Sequence, residues 1–296
     1  MALDDSWFTE VAPAEGMATS FRVDAKLADE RSAWQRLEVY RTASFGNLMV
    51  LDGCVMLTGR DEFIYHEMIA HPALFTHADP RRVVVIGGGD CGTLREVLRH
   101  STVAEAWQVE IDERVTRLAE QHFPDLTRAN HDPRAHLHFG DGLAWLRDAA
   151  ADSMDVVIVD STDPVGPAAG LFGEPFYRDC QRALGPGGIV VQQSESPLLN
   201  TSLIVAMHRA MRAAGFDDVR TLTFPQPCYP SGWWSATMAR KGARIEGFRQ
   251  AEAARLGGLR YYSSDMHRAA FALPPFLLAA LTVSGPPTGG AAPAHP

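Results

Sequence analysis

A run of four β-branched residues, Val83 to Ile86, breaks without a spacer into Gly87-Gly88-Gly89-Asp90-Cys91-Gly92 and then into TLREVLRH. An unbroken aliphatic run suits a strand buried on both faces. The glycines let the chain turn sharply and let its backbone approach a ligand where a Cβ would collide. A buried strand feeding such a turn and then a helix belongs to a parallel sheet covered by helices on both sides. The loop carries the G-x-G-x-x-G spacing of nucleotide-binding turns, which makes Gly87 and Gly89 candidate ligand contacts. The spacing alone does not separate NAD from an adenosylmethionine-type ligand, nor either of these from a ligand-free turn.

The same alternation continues downstream. AEAWQVEID, AHLHFGDG, SMDVVIVDST and GGIVVQQS read as further strands, separated by ERVTRLAEQH, GLAWLRDAA and EPFYRDCQRAL as helices. TSLIVAMHRAMRAAG follows as a helix, with strand-like runs at 217–224 and 233–239. Upstream the pattern differs. Residues 20–26, 32–41 and 45–51 alternate apolar and polar at period two, and Asp52-Gly53 between LMVL and CVMLT is a two-residue hairpin signal. A helix is expected from Glu62 to Phe75. The expected organisation is a small antiparallel β-domain over residues 1–60, a mostly parallel α/β domain over 61–283, and a Pro/Gly/Ala-rich disordered tail over 284–296.

In sheets of this class ligands bind beyond the carboxyl ends of the strands, and several carboxylates stand there. Glu110 closes the second strand about 20 residues after the glycine loop, where an acid can accept both ribose hydroxyls. Asp141-Gly142 follows the third strand; Asp141 reads equally as a contact to an adenine amino group and as a helix N-cap. Asp160 and Asp163 follow the fourth strand, which should lie beside the first and its Asp90. Carboxylates gathered in a cleft repel one another unless a cation or proton sits between them. The acidic cluster asks for a cation.

Composition narrows its nature. The net charge of −9 disfavours nucleic acid. Four scattered cysteines, Cys54, Cys91, Cys180 and Cys228, form no CxxC pair and fit a reduced, cytoplasmic protein. No secretory signal or membrane span is read. A metal is not expected: His66 and His71 are five apart and miss the i, i+4 face of a zincin helix, and no Cys or carboxylate completes a set with His131, His136 and His138.

LDGCVMLTGRDEFIYHEMIAH, VVVIGGGDCGTLREVLRH, QVEID, GDG, VDSTDPVGP, PCYPSGWW and YYSSDMHRAAFALP together resemble, in order and spacing, the spermidine synthase family over about residues 30–280. The resemblance implies a Rossmann-like, methyltransferase-type fold. It also implies transfer of an aminopropyl group from decarboxylated S-adenosylmethionine, a co-substrate and not a cofactor, to putrescine. Cadaverine, agmatine or a longer polyamine are alternative acceptors. By resemblance Gln35 touches the thioadenosine moiety, Tyr65, His66 and Tyr229 line the amine channel, and Asp90 binds amine groups between donor and acceptor. Glu110 holds ribose, Asp141 and Gly142 the adenine side, and Pro167 packs on the base. Asp160 is the implied proton acceptor and Asp163 the anchor for the far end of the diamine. A homodimer or homotetramer built through the N-terminal sheet is implied too.

Two positions depart from the family pattern. Cys91 replaces the usual Gly and is strained if that position needs positive φ. Cys228 replaces the commoner Thr before Tyr-Pro-Ser-Gly, a change that can reshape the amine channel and leaves the acceptor open. A methyltransferase of the same fold shares the glycine loop, Glu110 and Asp141 but has no need of Asp160 and Asp163 with the two tyrosines. A non-catalytic sensor has no need of the intact acidic pair. An NAD-linked oxidoreductase lacks a hydride-transfer site in the sequence.

Overall fold

The computed structural model describes residues 3–164 and 166–282. The tail expected over 284–296 and the Pro167 side chain lie outside the described residues. Two sheets organise the rest. β1 (Trp7–Ala12), β2 (Met17–Arg31), β3 (Arg36–Thr42), β4 (Asn47–Leu51) and β5 (Cys54–Thr58) form an antiparallel sheet in sequential order. Asp52 and Gly53 turn β4 into β5 with φ of 48° and 88°, the paired left-handed conformation that a two-residue hairpin requires. β1 has no counterpart among the expected strands. It pairs only with β2, at the sheet edge, where partial burial leaves a weak periodic signal.

Seven strands form the second sheet: β6 (Arg82–Gly87), β7 (Glu105–Glu110), β8 (Ala135–Phe139), β9 (Met154–Asp160), β10 (Leu184–Gln193), β11 (Asp218–Pro225) and β12 (Trp233–Arg240). Their spatial order is β11-β12-β10-β9-β6-β7-β8, parallel except where β12 runs against β10 and β11. The chain moves outward from β6 through β7 to β8, then returns to place β9 on the other side of β6. The β6/β9 boundary is therefore the topological switch point, where strand ends leave a crevice.

The helices are α1 (Glu62–Thr76), α2 (Gly92–Leu98), α3 (Glu113–His122), α4 (Pro124–Thr127), α5 (Gly142–Asp148), α6 (Glu174–Ala183), α7 (Thr201–Ala213), α8 (Gln250–Arg255), α9 (Ser264–Ala270) and α10 (Pro275–Thr282). Alternate residues of β6 point to opposite cores: Val83 and Val85 pack with α1 and α2, Val84 and Ile86 with α6 and α7. The small sheet docks by burying Leu37, Val39, Met49 and Leu57 against Val115 and Leu118 of α3. A cleft remains where this contact ends and the carboxyl ends of β6, β7 and β9 begin.

Buried Glu67 of α1 accepts the backbone N–H groups of Arg260, Tyr261 and Tyr262 at 2.9, 2.9 and 2.7 Å, clamping the C-terminal segment onto the α/β core. Removing a charged acceptor strands such donors. Glu67→Ala is expected to lower unfolding stability by about 2–4 kcal/mol, measured by denaturant melts; a change under about 0.5 kcal/mol would show that the clamp contributes little.

Candidate active site

The cleft has a volume of about 320 Å³ and is lined from both domains. Gln35 reaches it from the small sheet, Tyr65 and His66 from α1, Gly87, Gly89 and Asp90 from the glycine loop, and Glu110 from the end of β7. Asp141 and Gly142 line it at the start of α5, Asp160 at the end of β9, Asp163 just beyond it, and Tyr229 after β11. Every site residue expected from the sequence is thus at this cleft, except that the side chain of Pro167 is not described.

Close packing depends on missing side chains. A Cβ on Gly88 would stand 2.5 Å from Asp160 Oδ2, and one on Gly89 would stand 2.9 Å from Glu110 Cγ. One on Gly92 would overlap the His66 ring. Beside these glycines Cys91 itself adopts φ 66°, fully buried. The position does require the left-handed conformation, so a Cβ there is strained, in the range of about 1–3 kcal/mol.

Asp160 is held from two sides. Tyr65 donates its hydroxyl to Oδ1 and Thr93 donates to Oδ2, both at 2.6 Å. Burial raises its pKa above the ordinary carboxylate value, and the charge of Asp90 adds to the rise. Asp90 is treated differently: its Oδ1 accepts Gly92 N–H at 2.7 Å and lies 3.1 Å from His66 Nε2. Burial opposes its ionisation, but His66 and the Gly92 amide overcome this and lower its pKa. His66 has burial against its charge, yet Asp90 and Glu62 push its pKa up to about 10. The ring is only 2% exposed, so it meets the cleft by an edge and acts chiefly as a bridge.

At the end of β7, burial pushes Glu110 up to about 7, while its Oε1 accepts Asp112 N–H at 2.9 Å. Gln35 donates to Asp112 Oδ2 at 2.9 Å, which fixes the small sheet against the end of β7. Asp141 caps α5, accepting Leu143 N–H at 2.8 Å through one oxygen; its other oxygen leaves the adenine contact open. The first amide of α2 is taken by Asp90, a carboxylate where a dinucleotide loop offers its amides to pyrophosphate. That occupancy argues against NAD.

Tyr229 donates its hydroxyl to Met56 O at 2.6 Å, and its ring packs edge-on against Tyr65 with centroids 6.0 Å apart. Cys228, in contrast, does not border the cleft. It is fully buried with Phe21, Leu48, Val50 and Val55, and its N–H donates to Asp61 Oδ2 at 2.9 Å. Its thiol accepts Gln226 N–H at 3.2 Å, and Gln226 lines the cleft, so the residue reaches the channel through that neighbour.

Four contributors were not anticipated. Thr93 lies one residue past the glycine motif, where only the parallel β6/β9 pairing turns it toward Asp160. Glu195 follows β10, neighbour to β9, and the same strand-end rule that flagged Asp160 could have flagged it. Burial and the neighbouring Asp163 push Glu195 up to about 10. Glu10 comes from β1 of the other sheet, accepts Val55 N–H at 3.0 Å and is raised by burial and by Asp163. Glu62, the partner of His66, carried no sequence signal beyond its place one turn earlier on α1.

Comparison with known proteins decides the family. Residues 62–247 match the model of the spermine/spermidine synthase domain, and residues 6–59 match that of the spermidine synthase tetramerisation domain. The chain belongs to the spermine/spermidine synthase family. It is 61% identical over 275 residues to a polyamine aminopropyltransferase of Halorhodospira halophila, covering 92% of this chain and 99% of that one. It is 59% identical over 270 residues to one of Methylococcus capsulatus, covering 91% and 95%. The fold superposes with a TM-score of 0.91 on a crystal structure of spermidine synthase in complex with the transition-state analogue AdoDATO, at 33% identity, covering 95% of this chain and 97% of that one. For this family member the methyltransferase-type α/β fold and the aminopropyltransferase class are established together.

The raised pKa of Glu110 has a measurable consequence for stability. The unfolded chain ionises this group near 4.5, whereas the folded protein keeps its proton until about 7. Between those values the unfolded state binds fewer protons, so stability falls as pH rises, by about 3 kcal/mol in total at 1.36 kcal/mol per unit. Glu110→Gln is expected to melt higher than the native protein above pH 7 and to lose that advantage below pH 4.5. Thermal melts at pH 4.5 and 8 check the difference.

Proposed function

We propose that this protein is a spermidine synthase, transferring the aminopropyl group of decarboxylated S-adenosylmethionine to putrescine to give spermidine and methylthioadenosine, with no cofactor beyond its two substrates. The observation that carries the reading is Asp160, with a hydroxyl on each oxygen and Asp90 beside it at the switch point.

The donor's sulfonium is a good leaving group, so the reaction needs alignment more than bond activation. The difficulty lies with the acceptor. An alkyl amine with a pKa near ~10.4 is almost wholly protonated at neutral pH, and freeing its lone pair costs roughly 4–5 kcal/mol at pH 7. A carboxylate whose pKa is raised toward the working pH is a better base for that proton than an ordinary one, and Asp160 has that property. The freed nitrogen attacks the methylene carbon bonded to sulfur. The C–N bond forms as the C–S bond breaks, its electron pair stays on sulfur as neutral methylthioadenosine, and Asp160 takes the amine's proton. Tyr65 and Thr93 hold Asp160 in position, and the ring of Tyr229 shapes the channel.

The remaining acids divide the substrates. Glu110, Asp141, Gly142, Gln35, Gly87 and Gly89 suit the thioadenosine portion. Asp90, ionised, suits the primary ammonium of the decarboxylated donor and repels the carboxylate of ordinary S-adenosylmethionine. Asp163, backed by Glu195 and Glu10, suits the ammonium at the far end of the acceptor. A paired charge at ~4 Å gives about 4 kcal/mol of raw attraction at an effective dielectric near 20. The match of residues 6–59 to a tetramerisation model supports assembly of a dimer or tetramer through β1–β5. Among the described residues no helix is long and apolar enough to cross a membrane, and a cytoplasmic location is part of this reading.

Incubation with decarboxylated S-adenosylmethionine and putrescine is expected to release methylthioadenosine and spermidine. S-adenosylhomocysteine formed from S-adenosylmethionine would point to methyl transfer instead, and competition among putrescine, cadaverine, agmatine and spermidine ranks the acceptors. Asp160→Asn is expected to lower kcat by about 10²–10⁴-fold while leaving the melting temperature close to native; full activity would remove Asp160 as the base. Asp90→Asn should weaken the decarboxylated donor much more than methylthioadenosine, and equal losses in isothermal titration would count against its role in donor choice.

A further inference from the structure

Behind Asp90 the site continues into the protein along a line of alternating charges. Asp90 Oδ1 lies 3.1 Å from His66 Nε2, and His66 Nδ1 lies 2.8 Å from Glu62 Oε2. Glu62 Oε2 also accepts Arg95 Nη2 at 2.9 Å, and Arg95 Nε donates to Glu96 Oε1 at 2.8 Å. His66, Glu62, Arg95 and Glu96 are all buried between α1 and α2. Of the three residues beyond His66 only Glu62 lines the cleft, and an apolar α1/α2 contact would avoid the desolvation of four charged groups.

The geometry itself specifies a charge state. A neutral imidazole has one N–H and one lone pair. With a carboxylate oxygen at hydrogen-bond distance from each ring nitrogen, one contact in the neutral form would set a lone pair against a carboxylate. The imidazolium alone presents positive charge to both carboxylates, through a hydrogen bond to Glu62 and an ion-pair contact to Asp90. Gly92, whose missing Cβ makes room for the ring, lets it sit between the two carboxylates. The ionisable groups facing His66 and the Asp90/Asp160 pair are Glu62 and Tyr65 from α1, Arg95 from α2, Asp90 from the glycine loop, Asp160 from β9, and Tyr229 after β11.

We propose that Glu62 and Arg95 are positioning residues for amine deprotonation: they hold His66 as an imidazolium, which keeps Asp90 ionised beside Asp160. Without that cation two carboxylates in one pocket share a proton. The pair could then not both grip an ammonium and accept a hydrogen ion near neutral pH. Arg95 fixes Glu62 in place and in its charged form, so the order of charges along the line is positive, negative, positive, negative, ending at the substrate. The inference deepens the spermidine synthase reading and rests on it for its kinetic consequence, but not for its account of His66.

Glu62→Gln tests it, because the amide keeps the side chain's shape and an oxygen for both donors while removing the charge. With decarboxylated S-adenosylmethionine saturating, kcat/KM for putrescine is measured against pH. The acid limb, which reports the last proton of the Asp90/Asp160 pair in the complex awaiting the amine, is expected to move up by about one pH unit. That is about a tenfold loss on the acid side, the scale for one neighbouring opposite charge, with a smaller loss on the plateau. A uniform loss with an unmoved limb would mean a merely structural role and overturn the proposal. In parallel, NMR of the His66 Cε1–H in the full-length protein is expected to show an imidazolium still charged at pH 8. In Glu62→Gln the ring is expected to titrate in the ordinary histidine range near ~6.5. Native His66 titrating in that ordinary range overturns the inference without any variant. Absence of turnover with a charged His66 would instead sink the assigned reaction and leave the charge line standing.

Discussion

The structure depends on the pairing of β6 with β9, which sets Gly87 directly against Asp160. A side chain on Gly87 would run into the Asp160 backbone, and one on Gly88 into its carboxylate. Parallel strands bring their carboxyl ends to one edge, and the absence of Cβ atoms lets the loop after β6 lie flat on the end of β9. Two acids 70 residues apart in the chain, Asp90 and Asp160, become neighbours through this contact. The fold tolerates Cys91 in a left-handed conformation beside them, which indicates how strongly the loop's path is determined by its surroundings.

From that contact follows an uneven distribution of charge. Asp90 and Glu62 have cationic partners and stay ionised, whereas Asp160, Glu110 and Glu195 are raised by burial. Carboxylates of the second kind weaken the free protein at the pH where they must work. Glu110 and Asp160 line the cleft, whereas Glu195 lies buried beside Asp163.

Much of this is legible in the amino-acid sequence. The hydrophobic runs and their intervening helices identified a parallel sheet, because burial on both faces demands unbroken aliphatic strands. The glycine loop, and the acids Glu110, Asp141, Asp160 and Asp163 placed at strand ends, followed from the rule that such sheets bind ligands there. β1 escaped notice because a strand paired on one side only, half-buried, need not alternate strongly. The surroundings of Cys228 were hidden for a different reason: its neighbours Gln226 and Tyr229 line the cleft, but the thiol packs among residues of the small sheet.

The amino-acid sequence by itself determined the class of sheet, the edge at which chemistry occurs and the residue types that face it, since all three arise from periodicity and local turn geometry. Tertiary structure alone decided which carboxylates are ionised. Thr93 reaching Asp160, Glu10 arriving from the other sheet behind Asp163, and Glu62 meeting both His66 and Arg95 are contacts between elements distant in the chain. Charge state depends on burial and on partners within a few ångströms, and those distances exist only once the layers have packed.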